Sequence, residues 1–145
     1  MVRVLPHVMR NINEFNIPSG DTHGYEIQYF GVNLILMFNY RLSFDVEVVR
    51  NSDEANDKIE ILIISRKDVL AWKKGNGGSN KGIRLHYSNN GERINDIFKP
   101  ESSDAYAFIL SNRTLSNNRP TAKTVEVTLI HSWQQEIKES QLKNI

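Results

Sequence analysis

Leu42-Ser43-Phe44-Asp45-Val46-Glu47-Val48 is the stretch that decides how this chain folds. Leu42, Phe44, Val46 and Val48 alternate with Ser43, Asp45 and Glu47, and successive side chains of a strand point to opposite faces. The segment is therefore a strand with one buried side and one wet side. Thr124-Val125-Glu126-Val127-Thr128-Leu129-Ile130 repeats the design, with Val125, Val127 and Leu129 inward. Tyr25-Glu26-Ile27-Gln28-Tyr29-Phe30 is a third instance. Clean alternation of this kind belongs to antiparallel sheets with one solvated face.

Working outward, two further runs are apolar on both faces. Ile59-Glu60-Ile61-Leu62-Ile63-Ile64 and Ala105-Tyr106-Ala107-Phe108-Ile109-Leu110 are rich in β-branched and aromatic residues, and polar clusters bound them. They read as central strands covered on both sides, or covered at one end by a loop. Weaker strands are expected at Glu14–Ile17, Gly82–Tyr87 and Arg93–Phe98. Gly, Pro, Asn, Asp and Ser clusters at Pro18–Asp21, Asn51–Asp57, Gly75–Asn80, Ser88–Gly91 and Ser111–Thr121 supply the turns between them. About eight short strands at this spacing predict an all-β fold, an antiparallel, jelly-roll-like β-sandwich. One short helix is expected within Ser65–Trp72. Residues 1–133 form a single sandwich domain on this reading, and 134–145 a tail. The tail sequence from Trp133 to Ile145 suits either a terminal helix or a frayed end.

Composition narrows the function by exclusion. At 145 residues, 39% apolar and 24% charged, the chain is long enough to bury a core without covalent staples. Eighteen basic residues against seventeen acidic ones leave a formal charge of +1, so no large field gathers nucleic acid or an anionic membrane. The absence of cysteine excludes disulfides, zinc–thiolate sites and thiol catalysis. The segment Met1–Arg10 has no uninterrupted apolar region and no small-residue cleavage site, and Val32–Phe38 is too short to span a bilayer. These points set the expectation of a cytoplasmic protein with no membrane insertion and no nucleic-acid partner.

No motif fixes a reaction. His7, His23, His86 and His131 stand apart in sequence, with no carboxylate at a recurrent ligand spacing, so no metal or other cofactor is expected. Asp53, Glu54 and Asp57, with Asn51 and Asn56, offer the hard oxygens calcium takes, but the spacing is not that of an EF-hand and a solvated loop is the better reading. Lys73-Lys74-Gly75-Asn76-Gly77-Gly78-Ser79-Asn80-Lys81 lacks the Lys-Ser/Thr ending of a phosphate-binding loop. Trp72, Lys73, Lys74, Lys81 and Arg84 together predict a modest basic and aromatic surface, the first candidate for binding a ligand or partner. No serine sits in a strained elbow, so no catalytic residue is named and the chain is not expected to be an enzyme. Asn112-Arg113-Thr114 is a glycosylation sequon that matters only for a secreted chain. Trp72, Trp133, Tyr29, Tyr40, Tyr87 and Tyr106 are available for stacking sugar rings, although most fall at inward strand positions.

The order of these segments resembles the GOLD (Golgi dynamics) type of β-sandwich and its bacterial and archaeal relatives. Phe15-Asn16-Ile17-Pro18-Ser19-Gly20 leads into Tyr25–Phe30; Arg41–Val49 is followed by an acidic turn and Lys58–Ile64; Ser65–Gly75 is an aromatic-bearing connection. The pair Ala105–Asn112 and Ala122–Ile130 closes the pattern, which spans roughly Asn13 to Trp133. The resemblance implies a sandwich used for protein–protein contact. It does not extend to membrane trafficking, since the disulfide of the eukaryotic members has no counterpart in a cysteine-free chain. The functional expectation is a non-catalytic protein-interaction domain that oligomerises or serves as an assembly or adaptor module. A carbohydrate- or small-ligand-binding module using exposed aromatics is the alternative.

Overall fold

The computed structural model describes residues 2–20, 23–51, 58–75, 82–113 and 122–138. In chain order the elements are β1 (Val2–Ile17), β2 (Tyr25–Val32), β3 (Phe38–Asn51) and β4 (Ile59–Ser65). A 3₁₀ turn (Arg66–Asp68) and α1 (Val69–Lys74) follow, then β5 (Tyr87–Gly91), β6 (Arg93–Phe98), β7 (Asp104–Ser111) and β8 (Lys123–Lys138). They build two four-stranded antiparallel sheets, ordered β1-β8-β3-β6 and β2-β7-β4-β5. That order is the double Greek key of a jelly roll.

The alternation in β3 and β8 does what the sequence requires. Leu42, Phe44, Val46 and Val48 of β3 and Val125, Val127 and Leu129 of β8 are buried between the sheets. Ile59, Ile61 and Ile63 of β4 and Tyr106, Phe108 and Leu110 of β7 meet them from the other side. The opposite faces of β4 and β7 are also buried. Leu62, Ile64, Ala107 and Ile109 pack with Val69 and Trp72 of α1 in a second core outside the sheet. Each buried Leu or Ile here contributes about 1.5–3 kcal/mol, so the helix is a cover the second sheet depends on.

Arg113 fastens that cover. Its guanidinium lies 3.9 Å from the centre of the Trp72 ring and donates to the carbonyls of Trp72 (2.8 Å) and Lys73 (2.9 Å). A cation at the last turn of a helix satisfies the carbonyls that lack an intrahelical partner. At the same end of the sandwich, the Lys123 ammonium donates to the Lys58 carbonyl and to Asn112 Oδ1, while Asn112 Nδ2 donates to the Pro18 carbonyl. Gly24 fits here because a Cβ would run into the Gly20 carbonyl.

Of three sequence expectations, one holds but is too short and two fail, where a neighbouring strand overrides local propensity. The strand expected at Glu14–Ile17 is the end of one that begins at Val2. Residues 134–138 of the tail are strand and not helix: β8 runs past residue 133 to Lys138, because β1 offers Val2–Leu5 as partners for Gln135–Lys138; the rest of the tail lies outside the described residues. Finally, Gly82–Tyr87 is mostly irregular, whereas Ser88–Gly91, expected as a turn, is the body of β5 paired with β4.

Candidate interaction surface

Among the described residues, β1 lies at the margin of its sheet and pairs only with β8. All residues from Val8 to Glu14 are exposed, including Met9, Asn11 and Asn13 on the side that faces the sandwich interior. The strand therefore stands clear of the second sheet along this stretch. On the outward side, Val4 is 54% exposed, Val8 67% and Ile12 64%. A strand places every second residue on one face, so these three belong to one surface.

That surface continues across the sheet. One cross-strand row is Arg10, Ile130, Ser43 and Ile97; the next is Ile12, Thr128, Asp45 and Asn95. Ile97 is exposed and Ile130 half-buried. A third row, Glu14, Glu126, Glu47 and Arg93, bounds the apolar part with charge. Arg93 pairs with Asp45 at 3.1 Å, and this contact raises its already high pKa. Two depressions mark the face: one of about 90 Å³ beside Ser43, Asp45 and Ile130, the other of about 170 Å³ among Pro6, Val8, Arg41 and Trp133. Both fall short of the roughly 300–1,000 Å³ that enclose a small organic ligand. The surface is broad and shallow, a shape that suits a macromolecule.

Of the residues singled out from sequence, Lys73, Lys74 and Arg84 are exposed, but Trp72 does not lie at the surface. Trp72 is fully buried beneath Arg113, with Tyr25 edge-on at 5.1 Å, so its expected role as an exposed aromatic platform is overturned. The physical reason is that β4 and β7 need an apolar cover, and Trp72 is the largest side chain of that cluster. Lys73 is exposed with its ammonium 5.7 Å from the Tyr25 ring, Lys74 is exposed, and Arg84 pairs instead with Glu101 at 3.5 Å. Lys81 lies outside the described residues, as do residues 52–57 of the acidic loop, Asn76–Asn80 of the Gly-rich loop and Thr114 of the sequon.

The aromatic faces considered for sugar stacking are mostly engaged. Trp133 is half-buried and stacks on His7 with ring centres 5.3 Å apart; Tyr40 and Tyr106 are buried. Tyr87 meets Phe44 edge-on, and the exposed Tyr29 carries the Arg66 guanidinium over its ring.

The histidines occupy separate places, and among the described residues no three acidic or histidine side chains gather as metal ligands. His131 Nδ1 lies 2.5 Å from the Tyr40 hydroxyl in the inter-sheet core. Burial lowers the His131 pKa and pushes the Tyr40 phenol well up. His86 Nε2 is 3.4 Å from Ser65 Oγ, whose hydroxyl donates to Asp104 at 2.6 Å. A nucleophilic triad needs serine to donate to histidine and the carboxylate to orient that histidine. Here the Asp104 carboxylate accepts the hydrogen bond of the Ser65 hydroxyl, and Ser65 is only 4% exposed. The Ser65 hydrogen bond holds Asp104 below the usual carboxylate range; desolvation, with Arg84 nearby, lowers the His86 pKa. In this arrangement Ser65 does not donate to His86.

No protein-family model and no curated protein matches the sequence. Among solved structures, a chain from Desmodium yellow mottle tymovirus is similar over 93% of this chain and 91% of that chain, with 11% identity and a TM-score of 0.28. A likeness of that size carries no functional inference. Among the described residues, no helix is long and apolar enough to cross a membrane.

Proposed function

We propose that this chain is a non-catalytic assembly module that associates with copies of itself through the uncovered face and margin of the β1-β8-β3-β6 sheet. One observation carries the reading: Val4, Val8 and Ile12 are each more than half exposed on the outward side of a marginal 16-residue strand. Long apolar edges pair readily with other chains, and proteins that stay monomeric blunt them with charge, bulges or covers. The second sheet has such a cover in α1. The first has none among the described residues. A self-associating role uses the apolar surface and needs no deep pocket.

The test is solution mass by light scattering across a hundredfold concentration range. Wild type is expected to exceed the 16.7 kDa of one chain, and the variant V8K/I12K to return to it while keeping its circular dichroism and thermal midpoint. A wild type that stays at one-chain mass at the highest concentration contradicts the proposal. Carbohydrate binding is the weaker alternative, because the stacking faces it requires are largely occupied.

A further inference from the structure

The geometry points to a specific contact within that assembly: β1 pairs edge to edge with β1 of a second copy, antiparallel and centred on Ile12. This rests on the self-association reading above and adds the partner's register. Two-fold contacts are self-complementary, so one strand must match its own reverse. The segment between Pro6 and Pro18 does so about Ile12. Arg10 of each copy faces Glu14 of the other, Ile12 meets Ile12, and Val8 meets Asn16. On the other side Asn11 meets Asn13 and Met9 meets Phe15. Opposite charges directly across an antiparallel pair attract, and like charges repel. The same centre sets Pro6 opposite Pro18, and proline, which has no N–H, ends a ladder.

Neighbouring registers are poorer. Centring on Arg10 opposes two guanidinium groups. Centring on Val8 brings Pro6 inside the ladder. Only the Ile12 register both pairs the charges and leaves the prolines at the ends. The seven exposed residues from Val8 to Glu14 show that the edge is accessible where the contact needs it. Joining two copies this way makes one continuous sheet, with the two Ile12 side chains adjacent and Val8 of both chains on the same outer face.

The experiment compares R10E, E14R and the double variant R10E/E14R in the full chain by analytical ultracentrifugation. Each reversal turns two attractive pairs into two repulsive ones, so each single variant should associate about tenfold more weakly or worse. The double variant should return to within about threefold of wild type. An equimolar mixture of R10E with E14R should also associate, because each reversed chain then meets its opposite. Both positions are exposed, and unchanged circular dichroism excludes misfolding. Restoration in the mixture cannot arise from repair within one chain.

Singles that associate like wild type, or a double variant and a mixture as weak as the singles, overturn the register while self-association stands. A wild type that is monomeric throughout overturns self-association, and the register with it.

Discussion

The two sheets have equal strand counts and opposite outer faces. On the β2-β7-β4-β5 sheet, Leu62, Ile64, Ala107 and Ile109 lie under α1, sealed by Trp72 and Arg113. On the β1-β8-β3-β6 sheet, the corresponding side carries Val4, Val8, Ile12 and Ile97 in solvent, with charged residues on one border. A sheet buried on both sides is a stability device. A sheet whose outer side is apolar and open is available for contact. Exposed single hydrophobics mean little, but several on one face of a marginal strand form a patch. This difference is why the proposed self-association is placed on the sheet without the helix.

Substitutions should separate the two faces by size of effect. Trp72→Ala removes the largest side chain of the helical cover and should cost about 3–5 kcal/mol in denaturant unfolding, because it leaves a cavity. Arg113→Met should cost less, roughly 1–3 kcal/mol, by exposing buried helix carbonyls without a donor. Either variant unfolding like wild type would show that the cover does not hold the second sheet. On the open face, Val8→Thr should change stability by about 0.5 kcal/mol or less, while association weakens. A large loss of stability there would mean that Val8 packs against its own chain.

Acidification gives a further expectation. Burial depresses the pKa of His131, and desolvation that of His86, so the unfolded chain binds more protons than the folded one just below the ordinary histidine value of about 6.5. Stability should therefore fall as pH drops through that value, and the loss should continue until the folded-state pKa is passed. His131→Asn should flatten this part of the profile in thermal melts. An identical slope in the variant would assign the acid sensitivity elsewhere. The smallest effect expected is at the border row, where Glu126 lies between Glu14 and Glu47. Glu126→Thr should stabilise by a few tenths of a kcal/mol, since like charges across a strand pair are unfavourable. A destabilisation would contradict that reading of the row.

Sequence alone reached the strands whose pattern reflects a single environment. Leu42–Val48 and Thr124–Ile130 alternate because one side is core, and Ile59–Ile64 and Ala105–Leu110 are apolar throughout because both sides are. It failed where a neighbour decides. Asn89, Asn90 and Gly91 have poor strand propensity, yet β4 supplies their ladder; Gln135–Ile137 contains good helix formers, yet β1 supplies theirs. The candidate site was missed for a related reason. Val2, Val4, Val8 and Ile12 fall at even positions, but Leu5 and Met9 break the alternation, and Pro6 and Arg10 interrupt the apolar set. By sequence, a tryptophan beside two lysines, Trp72-Lys73-Lys74, has the pattern of a surface. Whether it faces solvent depends on where β4 and β7 lie, which local sequence does not encode.

Hydrogen exchange of the wild-type chain at low and high concentration tests the central claim most directly. Dilution should speed exchange at every second amide between Val8 and Asn16, the positions a paired edge protects, and leave β4, β7 and α1 unchanged. Exchange along β1 that is fast and independent of concentration would contradict the account, as would concentration-dependent protection confined to α1.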